Sequence, residues 1–518
     1  MNYRRFPSIR YPNLTKFIHP LLSLKQKAIL YPLMAFLVPF IVRSIPEILM
    51  GVWPAGFDVI TYYAPYMHDV KKYGFMKPFS DIVCSQTAPL TYLFIGLVAY
   101  IIPLNAIILS KFISPVIYGF LGLSIYIFVK EHFNWTPKRA FLTTITVTLY
   151  FVTLRFSWDM WKNTLGLAFF ILAICNAKNG KYKRFLPYSI LCILSHELMA
   201  AMLGSVLLFI TLYNLVRRSS NRTELAVFAL VGLSALLGTG YYAKWVRVFP
   251  QPQPNIPIEL LPYGGGMRIP HNYLEGLDWY GYKSANYIRF DASILMLKMY
   301  GPILPLAILG WKNDVWINSY ITISLIPFLS LIFIPAMALP AWHRSAFLLT
   351  IPLTLYAANS LAEMNSLRLS YLAFLIMFAV CYTVLPPESA FVYYGLFPST
   401  YKYLPTSMLQ NSVSITDLNS VAESFEWLNS HLKDGDCLLA PEAYRGWAKL
   451  LINKANVTIV PYNFSEATPS AALKYYGNIY LIWWDRDLKW YGWSPPAEFR
   501  CLNLDGRIAV YAYAETHA

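Results

Sequence analysis

Long apolar runs, separated by short segments rich in lysine and arginine, limit what this chain can fold into. The first run, residues 28–50, is long enough for a helix that crosses a bilayer, which needs roughly 20 apolar residues. Only 13% of the 518 residues are charged, whereas soluble proteins carry about 25%. Further apolar runs cover residues 223–242, 292–310, 315–334, 345–361 and 369–386. We therefore predict a polytopic α-helical membrane protein with about 10–12 spans.

Two regions between the first and the later runs need separate interpretation. Residues 87–129 hold about one and a half spans' worth of apolar residues, so one segment there is expected to be tilted or only partly inserted. Residues 185–216 are predicted to form a hairpin of two passes, with His196 and Glu197 at its outer turn. A histidine at such a turn has a plain structural interpretation, as a polar residue that caps the hairpin.

The net charge of +15 is a topology signal and not the footprint of nucleic acid binding. Residues 388–518 contain 10 Lys+Arg and 13 Asp+Glu, so the rest of the chain carries the whole positive excess. Short basic segments beside apolar runs are typical of the cytoplasmic side. We expect a multi-pass protein of the cell membrane, with a basic cytoplasmic N-terminus (1–27), a transmembrane region (28–386) and an extracytoplasmic domain (387–518).

The predicted outer face carries the long polar segments of the chain. It holds the long loops 51–88 and 243–290 and a C-terminal domain in which helix and strand patterns alternate. "CLLAP", "VTIVPY" and "IYLIWW" are typical of strands, "SAALKYYG" of a helix, and the last segment of a hairpin that turns at Asp505-Gly506. Cys437 and Cys501 lie in this α/β domain and are a possible disulfide pair.

Asp58 is the main candidate for chemistry. It lies in "GVWPAGFDVITYYAP", just past the expected outer end of the first span, where charges are costly and tend to mark functional sites. The alternative is a solvated loop carboxylate paired with Arg43.

Four segments carry a resemblance to a known family. "VRSIPEILMGVWPAGFDVITYYAPYMHDV" resembles the first outer loop of archaeal GT-C fold glycosyltransferases, and "APLTYLFIGLVAYIIP" is similar to the second segment of protein mannosyltransferases and aminoarabinose transferases. "LRFSWDMWKNTLGL" and "LSHEL" resemble two further outer turns of archaeal members. The resemblance implies a GT-C-like bundle that transfers a sugar from a polyprenyl (dolichyl) phosphate to a protein, lipid or glycan acceptor at the outer face.

Set against this sequence, the implied reaction needs a base and a cationic phosphate site. Asp58 is the expected base, and Arg344 with His343 is the expected donor-phosphate site, with Arg155 and Arg268 next in line. The alternative for Arg344 is a snorkelling residue at the membrane interface. Side chains expected to support the site or the acceptor are Asp69, Asp159, His196 and Glu197.

A metal and two other functions remain open. The family often has two adjacent acids in the first outer loop, whereas Asp58 stands alone until Asp69, so no metal is required. Mg²⁺ or Mn²⁺ held by Asp58, Asp159, His196 and Glu197 stays possible. The alternative functions are a lipid-glycan transporter or flippase, for which Lys111 is one candidate intramembrane charge, and a non-catalytic scaffold.

Overall fold

The computed structural model of the protein describes residues 24–218, 221–244, 285–333, 342–364, 368–383, 413–461, 476–485 and 495–513. Within them the chain is mostly helical and ends in a small β-sheet. The predictions made for residues 1–23, for most of loop 243–290 and for the helix "SAALKYYG" fall largely or wholly outside the described residues.

The helices follow the apolar runs of the sequence, because a helix satisfies its own backbone hydrogen bonds where no water is available. In chain order they are α1 (Leu24–Leu49), a π-helix (Val59–Tyr63), α2 (Ala64–Tyr73), α3 (Met76–Cys84), α4 (Leu90–Ile101), α5 (Ala106–His132), α6 (Pro137–Leu149), α7 (Phe151–Asp159), α8 (Trp161–Lys178), α9 (Tyr182–Ser195), α10 (Glu197–Arg217), α11 (Arg222–Tyr242), α12 (Ala285–Tyr300), α13 (Leu304–Leu309), α14 (Val315–Phe333), α15 (Trp342–Leu348), α16 (Thr350–Glu363) and α17 (Arg368–Thr383).

Among the described residues, 5 helices are long and apolar enough to cross a membrane: Ile29–Leu49, Ala106–His132, Glu197–Arg217, Arg222–Tyr242 and Arg344–Glu363. The pair α6 and α7, bent by 68°, raises the number to 6 if it counts as one span. The expected membrane-protein architecture is thus present in coarse form, and the higher span number stays a prediction. Residues 87–129 divide as expected into one long helix, α5, and the 12-residue helix α4, too short to span by itself.

Small residues let the helices around α1 and α10 pack closely. A Cβ atom at Gly119 of α5 would lie 2.9 Å from the Phe36 ring of α1. A Cβ atom at Gly204 of α10 would lie 2.8 Å from the Gly232 carbonyl of α11. Such close approach is typical of helix pairs that associate in lipid, where packing replaces the hydrophobic driving force.

Charged side chains join the helices at the end of the bundle opposite to the C-terminal domain. The Asp314 carboxylate, just before α14, lies 3.0 Å from His132 Nε2 and accepts a hydrogen bond from Lys178 Nζ at 2.7 Å. The same aspartate accepts backbone hydrogen bonds from Trp316 and Ile317. This cluster fixes the start of α14 to the ends of α5 and α8. We call this end the far end and the other the domain end.

The C-terminal domain is the predicted α/β unit. Its helices are α18 (Leu418–His431), preceded by a 3₁₀ turn (Ile415–Asp417), and α19 (Glu442–Leu451), and its strands are β1 (Cys437–Ala440), β2 (Thr458–Pro461), β3 (Ile479–Trp484), β4 (Phe499–Asp505) and β5 (Ile508–Tyr513). The sheet order is β2-β1-β3-β5-β4, with β1 parallel to β2 and β3, and β5 antiparallel to β3 and β4. The three strands and the hairpin turn at Asp505-Gly506 are confirmed.

The possible disulfide is wrong. Cys437 lies on β1 and Cys501 on β4, and both are free thiols. Strands β3 and β5 lie between β1 and β4 in the sheet. At about 4.8 Å per strand, that order separates the two cysteines by roughly twice the span that a disulfide bridges. Strand order, which the spacing of cysteines along the chain does not reveal, decides the matter.

Candidate functional site

The loop that leads to Asp58 is held by a buried ion pair at the end of α1. Arg43 and Glu47 lie one turn apart, and their closest side-chain atoms are 2.7 Å from each other. Arg43 Nε donates to the Ser157 carbonyl at 2.8 Å, and Glu47 Oε2 accepts from the Ala55 backbone N–H at 2.9 Å. The pair therefore ties α1 to α7 and fixes the loop three residues before Asp58.

Lys111 of α5 fastens the same loop from a second side. Its ammonium group donates to the Glu47 carbonyl, to the Gly51 carbonyl at 2.5 Å and to the Trp53 carbonyl at 2.9 Å. These carbonyls belong to the end of α1 and the turn that follows, where orphan acceptors need donors. Lys111, the candidate intramembrane charge of a transporter, thus has a structural role: it holds the end of α1 and the turn that follows.

The backbone before Asp58 lies directly against α7. Gly56 has φ of +124°, and a Cβ atom there would lie 2.5 Å from the Trp158 carbonyl oxygen. Only glycine fits this close approach. Asp58 follows two residues later, half-buried, and immediately precedes the π-helix Val59–Tyr63. Short π-helical turns occur frequently at functional sites.

The second part of the site is the turn between α9 and α10. His196 is the N-cap of α10, and its Nδ1 accepts the Leu198 backbone N–H at 3.0 Å. The ring proton therefore lies on Nε2, which is 3.5 Å from Glu197 Oε1. Burial lowers the pKa of His196 to about 3, so the imidazole is neutral at physiological pH. The capping interpretation of His196 is confirmed.

Two cations lie beside Glu197. Lys162 Nζ is 3.9 Å from Glu197 Oε2, and Arg344 acts electrostatically on both His196 and Glu197. The Nε atom of Arg344 is buried, and within the described part of the chain it has no hydrogen-bond partner. A buried guanidinium donor without an acceptor is costly unless a ligand supplies one.

Tyr92 of α4 connects Asp58 to the turn. Both the Asp58 and the Glu197 carboxylates act electrostatically on the buried Tyr92 hydroxyl. Nearby, the rings of Tyr63 and Trp161 stack with centroids 4.6 Å apart and an interplanar angle of 1°, so the π-helix is held against the start of α8, next to Lys162. The structure therefore gathers the carboxylates, the neutral imidazole and the two cations at the domain end.

The remaining expected residues divide into three groups. Arg155 is wholly buried within α7. Arg268 and the side chains of Asp159 and His343 lie outside the described residues. Asp69 belongs to a separate cavity.

That cavity, of about 460 Å³, lies between α2, α3 and α4 on one side and α19 of the C-terminal domain on the other. Its charged lining comes from both parts of the chain: Asp69, Lys77, Asp81, Arg445 and Lys449. Tyr62, Tyr66, Tyr73 and Tyr92 add four phenol groups. Tyr92 also interacts electrostatically with the Asp58 and Glu197 carboxylates, so the cavity adjoins the part of the site that these two residues form, which we call the carboxylate cluster. We call it the interdomain cavity.

Helix α19 is packed firmly against the π-helix. Gly446 brings the two backbones together, because a Cβ atom there would lie 2.6 Å from the Ile60 carbonyl carbon and 2.8 Å from Thr61 Cα. One residue along, Trp447 meets the Trp53 ring edge-on with centroids 4.9 Å apart. Sequence reasoning missed this helix as a site element, although the spacing of Arg445 and Lys449, one helical turn apart, was a usable signal.

No residue set for a metal emerges from the part of the chain that the structure describes. Among those residues, no group of three or more histidine, cysteine, aspartate and glutamate side chains is placed to hold an ion. The possible Mg²⁺ or Mn²⁺ set includes Asp159, whose side chain lies outside the described residues, and it stays a prediction.

Fold and site together define a class: a helical protein with apolar helices of membrane-spanning length, whose α/β domain docks on the end that carries clustered carboxylates and cations. The sequence matches no protein-family model. No curated protein matches it either. The resemblance to GT-C glycosyltransferases thus stays a prediction from the sequence motifs that carry it.

Proposed function

We propose that the protein is an integral membrane glycosyltransferase that moves a sugar from a polyprenyl phosphate to an acceptor at the domain end. The observation that carries the proposal is the buried Arg344 Nε, which lacks a partner among the described residues, next to the carboxylate cluster. A lipid phosphate supplies the anionic acceptor that this donor needs, and Arg344 begins an apolar helical stretch of membrane-spanning length, Arg344–Glu363.

The donor side of the site consists of cations and one neutral donor. Lys162 lies 3.9 Å from Glu197, Arg344 acts electrostatically on the same carboxylate, and the Nε2–H of His196 is an uncharged donor. When the bond between the sugar C1 and the phosphate oxygen breaks, the electron pair stays on the phosphate. Positive groups fixed beforehand stabilise that charge as it develops, so no general acid is needed.

The acceptor side is assigned to Asp58. In the proposed step the acceptor oxygen forms the new bond to C1, and its proton passes to the Asp58 carboxylate. Glu197 is a positioning residue, since it holds Lys162 and His196 in place. Asp58 is itself placed by Gly56 and by the clamp of Arg43 and Glu47.

The test is transfer by the full-length protein in vesicles, with a panel of radiolabelled polyprenyl-phosphate sugars and a membrane extract as acceptor. We expect Asp58→Asn to lower the rate of transfer by about 10²–10⁴-fold, the usual worth of a general base. Arg344→Gln is expected to raise the donor concentration needed for half-maximal transfer. Glu363→Gln, an exposed acid at the far end, is the matched control.

Three outcomes decide between the functions. Loss of transfer in Asp58→Asn at equal protein level supports both the reaction class and the base. Transfer that survives in Asp58→Asn keeps the enzyme and moves the base, with Asp159 next in line. If the wild type transfers no sugar from any donor of the panel, the transporter or scaffold function takes its place.

A further inference from the structure

The interdomain cavity carries more positive than negative charge. Asp69 and Asp81 face the three cations Lys77, Arg445 and Lys449. Arg445 and Lys449 occupy the same face of α19, one turn apart, where like charges repel. A bound anion would relieve this imbalance.

Aromatic rings with cations above them complete the wall. Lys77 Nζ lies 5.0 Å from the Tyr73 ring centroid, and the Arg445 guanidinium carbon lies 5.8 Å from that of Tyr62. Each ring offers a flat apolar face, on which the C–H face of a sugar ring stacks, and each cation beside it suits an acidic substituent. The volume of about 460 Å³ lies within the range of small-ligand sites.

We infer that the interdomain cavity binds an anionic saccharide, which is the sugar acceptor if the proposed function holds. Its acidic group, a carboxylate or a phosphate, pairs with Arg445 and Lys449, and its rings stack on Tyr62 and Tyr73. The C-terminal domain thereby supplies two of the three cations that line the binding site. The role of the bound saccharide as the sugar acceptor rests on the proposed function, whereas its binding in the cavity does not.

Binding is measured by titration calorimetry on the full-length protein in nanodiscs of uncharged lipid, without any donor. The probes are cellobiuronic acid, which carries a carboxylate, cellobiose 6-phosphate, and neutral cellobiose. We expect an acidic disaccharide to bind about tenfold more tightly than cellobiose, as for a charge-assisted hydrogen bond. Arg445→Gln combined with Lys449→Gln should abolish that preference. Lys454→Gln, an exposed lysine of the same domain, should keep it.

The single variant Lys449→Gln keeps the test valid if the double variant fails to fold. The Lys449 side chain is exposed, so its replacement leaves the packing of the helix intact. It is expected to remove part of the preference. The carboxylate and phosphate probes show which acid the site prefers. Equal binding of acidic and neutral disaccharides, binding that the double variant does not weaken, or no binding of any probe overturns the inference. Tighter binding of a tetraglutamate peptide than of both acidic disaccharides overturns it as well.

The two proposals fail separately. Glu363→Gln, at the far end of the bundle, should bind cellobiuronic acid like the wild type. If the wild type binds the acid but transfers no sugar, the proposed function falls and the cavity assignment stands. If transfer proceeds at the wild-type rate in the double variant, the enzyme stands and the cavity does not hold its acceptor.

Discussion

Replacing Gly446 by alanine tests how tightly the C-terminal domain is coupled to the site. In an isolated helix this change is favourable by about 1 kcal/mol, because glycine is the poorer helix former. Here a Cβ atom would lie 2.6 Å from the Ile60 carbonyl carbon and 2.8 Å from Thr61 Cα. Backbone atoms cannot rotate away as side chains do. The helix α19 must therefore retreat from the π-helix.

The size of the effect follows from those distances. Carbon atoms pack at about 3.5–4.0 Å, so α19 has to move by about 1 Å. Overpacking of this kind costs about 1–3 kcal/mol. The movement also weakens the edge-on contact of Trp53 with Trp447, worth about 0.5–1.5 kcal/mol. Since the same helix carries Arg445 and Lys449, the interdomain cavity opens with it.

Hydrogen exchange of the full-length protein in detergent is the suitable assay. We expect Gly446→Ala to speed exchange of the backbone amides in residues 59–63 and 442–451 by about 10-fold or more, the equivalent of about 1.4 kcal/mol. Gly477→Ala is the control in the same domain, since its Cβ would meet only the Asp436 side chain, at 3.1 Å. Unchanged protection of both segments in Gly446→Ala refutes the close backbone contact.

Two further predictions concern the ion pair of α1 and the turn before α10. Glu47→Gln leaves the Arg43 guanidinium buried without its pair, so we expect the protein to lose about 3–5 kcal/mol of stability, measured as a lower thermal unfolding midpoint. The double variant Arg43→Met/Glu47→Leu, which removes both charges, should recover part of this loss. A midpoint of Glu47→Gln equal to that of the wild type contradicts the prediction. For His196 the folded-state pKa is lowered to about 3, so the unfolded chain takes up a proton that the folded chain refuses, and stability is lost as the pH falls below about 6.5. His196→Asn keeps an N-cap side chain and should flatten the fall of the midpoint between about pH 6.5 and pH 4, whereas parallel curves for both proteins speak against the buried neutral imidazole.

Local sequence patterns were sufficient for the long helices and the C-terminal strands, but not for the π-helix, α2 and α3, which lie in the predicted loop 51–88. The apolar runs predicted the long helices, with their ends within a few residues of the observed ones in α1, α11 and α14. Alternating residues and the Asp505-Gly506 turn predicted the strands and the hairpin of the C-terminal domain. These signals work because helix and strand geometry depend on neighbours within a few positions along the chain.

Part of the candidate site was also predictable. Asp58, Arg344, His196 and Glu197 were singled out because charged and polar residues at the ends of apolar helices are expensive and therefore conspicuous. The prediction failed where residues distant in sequence have to be paired. Cys437 and Cys501 lie in one domain, yet the strand order keeps them apart.

What the sequence by itself determined is a mostly helical chain with apolar helices of membrane-spanning length and a small C-terminal sheet, since hydropathy and periodicity are properties of single segments. Only the tertiary structure decided that Arg344 comes within electrostatic range of Glu197, and that Arg445 and Lys449 share a cavity with Asp69. These contacts depend on which faces of the helices pack against each other. A few close backbone contacts, such as Gly56 on Trp158 and Gly446 on Ile60, determine that packing. Close packing of this kind is a property of two surfaces at once, so neither segment alone reveals it.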